Sequence, residues 1–325
     1  MAGYRLREMI GESPAFLDAI KKIPQIAQSS SSVLIVGATG TGKDILAERI
    51  HFTSPRKAHP FVPVNCGAIP PDLAENELFG HQGGAFTGAI ALRGGLICEA
   101  EGGTLFLDEI DSFPPVVQVK LLRCIEDKTY RPLGNTKECR ANVRIIAALN
   151  TDPLELIKSG RLRQDLYYRI NIFTLKLPAL KDRSGDIPLL AAHFLAKSSA
   201  AFTRKITSIS QSAIQKLYSH SWPGNVRELE HVIERAVIFC DSGTIHEKDI
   251  LLDILDTFPE GDPVAPFKET KSNFIRIFEI EYIEKLLLAS DGNITKAAFL
   301  AQKDRRAFCQ LIRKYKIDIT RFRQC

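Results

Sequence analysis

The 325-residue chain is 45% apolar and 25% charged and carries a net charge of +5, ordinary values for a globular protein long enough for two or three domains. Apolar runs such as residues 145–149 are strand-sized, far short of the roughly 18 residues a transmembrane helix needs, and residues 1–14 hold no apolar core of signal-peptide length. The cysteines (Cys66, Cys98, Cys124, Cys139, Cys240, Cys309 and Cys325) are odd in number and show no C-x-x-C spacing, which points to reduced thiols in a cytoplasmic protein and away from a disulfide framework or a metal site.

In chain order, Ser13 before Pro14 makes a favourable helix start with the serine as cap. Residues 32–37 read as a short buried strand and residues 42–52 as a helix. Residues 61–65 are a second strand, which Pro63 places near a sheet edge. Residues 103–108, 143–149 and 172–177 are three more, with helical stretches between them. Such alternation implies an α/β fold, a parallel sheet covered by helices on both faces. After Leu180 the strand signals stop, and residues 186–253 read as helices. Pro259, Gly261, Pro263 and Pro266 mark a linker. The expected division is an α/β domain at 1–180, a helical subdomain at 181–253, a linker at 254–272 and a small all-α domain at 273–325.

The chemistry begins with Gly37-Ala38-Thr39-Gly40-Thr41-Gly42-Lys43, which fits G-x-x-x-x-G-K between a strand and a helix. Glycines let the backbone curl so that its N–H groups face phosphate, Lys43 adds a point charge, and the helix N-terminus adds its dipole. Asp44 stands where a Ser or Thr usually helps hold Mg2+, so the metal must rely more on other groups. Sixty-five residues after Lys43 an apolar strand ends in Asp108-Glu109. Asp108 is placed to orient Mg2+ or its waters, and Glu109 to polarise an attacking water. Asn65 is either a plain turn residue or an amide that holds Glu109 in or out of line.

With these motifs the chain resembles the central and C-terminal domains of sigma-54-dependent transcriptional activators, the NtrC-type enhancer-binding proteins, from about Ile10 to Arg313. The most specific match is Gly84-Ala85-Phe86-Thr87-Gly88-Ala89, which in that family is the loop that touches the sigma factor. From the residues alone, an aromatic on a glycine-flanked loop is either a contact surface or a buried turn. The resemblance implies an AAA+ P-loop NTPase sheet with a helical lid, ATP and Mg2+ as cofactors, and a ring, most simply a hexamer, with ATP between subunits. It implies that Arg163 and Arg169, in Gly160-Arg-Leu-Arg-Gln-Asp-Leu-Tyr-Tyr-Arg169, reach a neighbouring subunit's ATP as arginine fingers. It gives Arg227, in Trp222-Pro-Gly-Asn-Val-Arg-Glu-Leu229, a phosphate contact from the lid, pairs Asn65 with the catalytic glutamate, and puts Ile10 and Gly11 near the adenine. The family's first sensor reads Ala-Thr-Asn; here it is Ala148-Leu149-Asn150, which leaves Asn150 as its polar member. The family's receiver or ligand-sensing domain has no counterpart before Ile10.

Charge is uneven. Residues 271–325 hold 12 Lys/Arg and 6 Asp/Glu, a balance of +6 that leaves −1 for the first 270. A polyanion partner suits that segment. Asp291-Gly-Asn293 offers a turn and cap before one helix, and Asp304 caps the next. In the latter Phe308, Leu311, Ile312 and Tyr315 form one stripe, and Arg306, Gln310 and Arg313 another face. Two short helices with a basic second one suggest helix-turn-helix DNA binding, and the segment resembles the family's Fis-type domain. Thr295, Lys303, Arg305, Arg306, Gln310 and Arg313 are the candidate DNA contacts, although Gln302-Lys303 replaces the family's common Gly-Ile in the turn. The function expected is ATP-driven opening of a promoter complex by contact with sigma-54 RNA polymerase holoenzyme, from double-stranded enhancer DNA. A nucleotide-sensing repressor that binds ATP without remodelling, or a helicase loader, are the alternatives.

Overall fold

A computed structural model describes residues 8–84, 93–252, 283, 286, 287, 290, 293–301 and 303–315. The first of two compact units ends at Leu252. It opens with α1 (Pro14–Ile20) and α2 (Ile23–Gln28), then β1 (Val33–Val36) and α3 (Lys43–Thr53). There follow β2 (Phe61–Asn65), α4 (Pro71–Phe79), β3 (Gly80–His81), β4 (Arg93–Gly94), α5 (Leu96–Glu99) and β5 (Thr104–Asp108). Then come α6 (Pro115–Asp127), β6 (Thr129–Tyr130), β7 (Cys139–Arg140), β8 (Arg144–Leu149), α7 (Pro153–Lys158), α8 (Gln164–Ile170) and β9 (Phe173–Lys176).

Five strands pair in parallel in the order β2-β5-β8-β1-β9, with β2 at one edge, as its proline requires. Side chains of a strand alternate between faces, and the apolar residues use both. Leu105, Leu107, Ile145, Ala147 and Leu149 join one core with α4 to α8. Val33, Ile35, Phe106, Ile146 and Ala148 join the other with α1 to α3. A sheet buried on both faces is why the strands read as continuous apolar runs. Register brings Asn65 opposite Asp108 and Val36 opposite Leu149, so the strands' C-terminal ends line up along one edge.

The helical lid contains α9 (Ile187–Ala201), α10 (Gln211–Tyr218) and α11 (Asn225–Phe239) around a core that includes Leu190, Phe194, Leu217, Trp222, Leu229 and Ile233. Trp222 is buried and donates its indole N–H to the Leu217 carbonyl at 2.9 Å. Two sequence expectations are corrected in this unit. Ser13 does not cap α1 with its side chain; its hydroxyl donates to Asp186 Oδ2 at 2.7 Å, and Asp186 Oδ1 takes the N–H groups of Glu12 and Ser13. A carboxylate with three donors in reach outcompetes a local cap. Strand structure also does not stop at Leu180: β10 (Ser208–Ile209) and β11 (Thr244–Ile245) pair in parallel inside the lid, two residues each and too short to show a period.

In the second unit, α12 (Ile294–Leu300) and α13 (Arg305–Lys314) pack on a small core of Ile283, Leu287, Ala297, Ala298, Phe308 and Ile312. Asn293 Oδ1 accepts the N–H groups of Thr295 and Lys296 at 3.1 and 3.2 Å and so caps α12. Thr295, Lys303, Arg305, Arg306 and Gln310 are exposed; the Arg313 side chain and Gln302 lie outside the described residues. Among the described residues no helix is long and apolar enough to cross a membrane.

Candidate active site

The loop after β1 curls as its glycines allow, with φ of 77° at Gly40 and 96° at Gly42, in the left-handed region that favours glycine. Gly37 N–H is tied to the Leu149 carbonyl, which anchors the loop to β8. Lys43, only 5% exposed, donates to the carbonyls of Gly37 at 2.9 Å and Ala38 at 3.2 Å and to Asn150 Oδ1. Burial pulls the Lys43 ammonium below the usual lysine range, against the opposing pull of Asp108 and Glu109. Burial likewise pushes the Asp108 carboxyl up, with Lys43 working in the other direction. Buried opposite charges shifted this way make a poised cluster rather than a surface ion pair.

Glu109 leaves β5 with φ of 55°, a left-handed turn that redirects its side chain. Its Oε1 accepts the Asn150 amide at 2.8 Å. Asn150 therefore bridges Lys43 and Glu109. Asn65 lies near Glu109, since a Cβ on Gly67 would also come 3.3 Å from Asn65 Oδ1, but that oxygen accepts the N–H groups of Gly67 and Ala68 and caps the 3-10 turn Cys66–Ala68. Gly67 is where the carboxylate finds room: a Cβ there would lie 2.6 Å from Glu109 Oε2. Leu149 is fully buried in the core, which leaves the neighbouring Asn150 amide as the polar group that reaches Lys43 and Glu109. Asp44, in the first turn of α3, bears on the charge of both Lys43 and Asp108. No group of three His, Cys, Asp or Glu suited to a metal occurs among the described residues. Two carboxylates beside a phosphate loop fit Mg2+, which keeps waters and takes phosphate oxygens as ligands.

The lid reaches the same loop. The Thr39 carbonyl accepts Asn225 Nδ2 at 2.9 Å, that of Gly40 accepts the N–H groups of Val226 and Arg227, and that of Thr41 accepts Arg183 Nη2 at 3.3 Å. Gly40 has no alternative residue, since a Cβ would come 2.2 Å from the Gly224 carbonyl. Beside the loop lies a cavity of about 440 Å³ lined by Ile10, Phe16, Gly42, Ile45, Arg183 and Phe194, among others. Gly11 follows the lining residue Ile10 and is packed against another, since a Cβ there would meet the Phe16 ring at 2.5 Å. An apolar cavity against a phosphate loop suits a nucleoside.

A family profile described as the sigma-54 interaction domain matches residues 9–176, and one described as the AAA+ ATPase lid domain matches residues 181–265. The chain belongs to the sigma-54 activators, a family of AAA+ ATPases. It is 43% identical over 323 residues to the transcriptional regulatory protein GlrR of Escherichia coli K12, covering 98% of this chain and 71% of that one. It is 42% identical over 313 residues to the regulatory protein AtoC of the same strain, covering 95% and 68%. NtrX from Brucella abortus, solved in complex with ATP, is similar in structure at a TM-score of 0.70 and 30% identity, over 95% of this chain and 70% of that one.

Not every residue picked from the activator motifs joins the cluster. Arg163 and Arg169 are exposed at the two ends of α8. Arg163 pairs with Asp165 through two bonds, at 3.0 and 2.7 Å, and is not bonded to the phosphate loop among the described residues. Arg227 is exposed at the start of α11, where its charge lowers the Lys43 pKa. The base of the GAFTGA loop is fixed by β3 pairing with β4 and by Arg93 on Glu77. Gly84 is exposed with φ of 83°, whereas Ala85, Phe86, Thr87, Gly88 and Ala89 lie outside the described residues. Sequence reasoning missed Asn225, Arg183 and Gly67. Asn225 sits in the motif that supplied Arg227, but nothing in its spacing separates an amide facing a loop from one facing water.

Proposed function

We propose that the chain hydrolyses ATP to ADP and phosphate at the Lys43 cluster and spends the resulting motion on the sigma-54 RNA polymerase closed complex, opening the promoter. The observation that carries this is the Lys43–Asn150–Glu109 bridge at the aligned strand ends. ATP lies with its base in the cavity beside Ile10 and Gly11 and its phosphates against the N–H groups of Ala38, Thr39, Gly40, Thr41 and Gly42. Lys43 neutralises β- and γ-phosphate charge. Mg2+, held near Asp108 and Asp44, supplies further charge neutralisation when bound. Glu109 takes a proton from the water that attacks the γ-phosphorus as the bond to the ADP oxygen breaks. Because Asn150 holds both Lys43 and Glu109, a γ-phosphate that draws on Lys43 changes the hold on Glu109.

Arg163 and Arg169, facing outward, act on the ATP of a neighbouring copy in a ring, in the simplest case a hexamer, and Arg227 contacts phosphate from the lid. The loop at residues 84–89 is the sigma-54 contact. Residues 273–325 are a helix-turn-helix that holds enhancer DNA through Thr295, Lys303, Arg305, Arg306, Gln310 and Arg313, as their positive balance suggests. The domain limits 1–180, 181–253, 254–272 and 273–325 and a cytoplasmic location belong to the same reading.

Thr87→Ala tests it. Phosphate release and the thermal melt are expected to stay near those of the parent, while open-complex formation with sigma-54 polymerase is lost. Normal promoter opening by this variant rules out the loop as the working surface. A large fall in melting temperature marks Thr87 as a packing residue.

A further inference from the structure

Gln118 is fully buried on α6, yet every polar atom of its side chain is used. Its Nε2 donates to the Phe113 carbonyl at 2.8 Å and the Arg161 carbonyl at 2.7 Å, and its Oε1 accepts the Arg163 N–H at 2.9 Å. One side chain thus grips the backbone of the arginine-bearing segment on both sides of Leu162. Leu162 is itself buried, and its N–H bonds to the Leu156 carbonyl. A second tie runs from the Arg161 guanidinium to Asp111. Asp111, with a side chain only 7% exposed, sits in the 3-10 turn Ile110–Ser112 that follows Glu109. Both ties therefore end on the short stretch that begins with Asp108 and Glu109.

The Arg163 side chain is held differently. Its pair with Asp165 is open to solvent, at 42% and 44% exposure. Such a pair is weak, and a phosphate with several charged oxygens displaces it. The segment thus combines a fixed backbone with a releasable guanidinium, the arrangement that aims a long side chain at a target outside its own subunit.

We infer that Gln118 is a positioning residue for Arg163, fixing the arginine segment to the stretch after Glu109 so that each subunit's own site sets the register of the arginine it offers to its neighbour. The inference rests on the reading of Arg163 as acting in trans. It makes a distinctive demand: loss of Gln118 must damage the neighbour's site and leave the subunit's own pocket intact.

Mixed-subunit hydrolysis tests this in the full chain. Gln118→Met keeps similar volume and removes all three bonds. ATP affinity is expected to stay within about twofold, while the variant alone loses at least about tenfold in hydrolysis rate, since a misplacement of about 1 Å can cost up to about 100-fold. Mixing it with Lys43→Ala, which lacks a working pocket and keeps its arginine, restores hydrolysis. Arg163→Ala mixed with Lys43→Ala is the control. If the control pair fails to complement, the trans reading falls and the inference with it. If the control complements and the Gln118→Met pair does not, or if Gln118→Met alone hydrolyses ATP normally, Gln118 does not position Arg163. Should Gln118→Met fail to fold, Gln118→Glu, which keeps the shape and the acceptor for Arg163 N–H, is judged by the same mixing criterion.

Discussion

The two ends of the central sheet both bury cations, and they treat them differently. At the N-terminal ends of the strands Arg144, 1% exposed, donates to the carbonyls of Ile26, Ala27 and Ser31. Arg56 beside it donates to the carbonyls of Gly102, Gly103 and Asn142. These acceptors are fixed backbone at the end of α2 and around β5, and three of them are tied down a second time: the Ile26 carbonyl also takes the Ser29 N–H, that of Gly103 the Arg144 N–H and that of Asn142 the Gly102 N–H. At the C-terminal ends Lys43 is held partly by the Asn150 side chain, which is in turn bonded to Glu109. Backbone acceptors cannot leave, so the first end is structural. Side-chain partners from different elements can be exchanged for a ligand's oxygens, so the second end can respond.

Three substitutions sharpen that contrast. Arg144→Met should cost about 3 kcal/mol of stability, because one buried guanidinium gives up three backbone hydrogen bonds at once; denaturant melts measure it, and hydrolysis per folded molecule should be unchanged. A loss below about 1 kcal/mol would break the distinction between the ends. His51 gives the next effect. Its ring is buried, with Nδ1 against Thr104 Oγ1 at 2.9 Å, and burial holds its pKa down to about 4 from an ordinary 6.5. Above pH 6.5 the folded and unfolded chains are both neutral at this residue and its stabilisation is complete. As pH falls from 6.5 towards 4 the unfolded chain gains a proton that the folded chain refuses, at about 1.4 kcal/mol per pH unit. The parent should therefore lose about 2 kcal/mol more than His51→Gln between pH 7 and pH 5, and parallel profiles would remove His51 from the acid response. The smallest effect is Asn65→Ala, about 1 kcal/mol for a lost cap, with the Asn150–Glu109 bond left in place. Calorimetry reads it, and no change in stability would contradict the capping role.

Much of this was legible in the sequence because it depends on local rules. The five strands were visible as apolar runs since both faces of the sheet are covered, and Pro63 marked the edge. The phosphate loop and the Asp108-Glu109 pair carry fixed spacing. What was not legible depends on which side chain meets which across the fold. Only Asn65 stood out in the sequence as a partner for Glu109; the register that sets Asn65 opposite Asp108 leaves its Oδ1 on the next turn, and Asn150, distant in sequence, makes the bond. Ser13 looked like a cap until Asp186, distant in sequence, supplied a stronger partner. Gln118 is a polar residue on a buried helix face, and one sequence cannot tell whether such a residue is satisfied or to what it is bonded.

The central claim is that the bridge from Lys43 through Asn150 to Glu109 marks a working hydrolytic site. Steady-state phosphate release by the parent and by Glu109→Gln, with ATP binding measured on both, tests it most directly. The variant keeps the side chain's shape and loses its base, so ATP binding should persist while turnover falls at least about 100-fold. Turnover by Glu109→Gln near that of the parent would contradict the account.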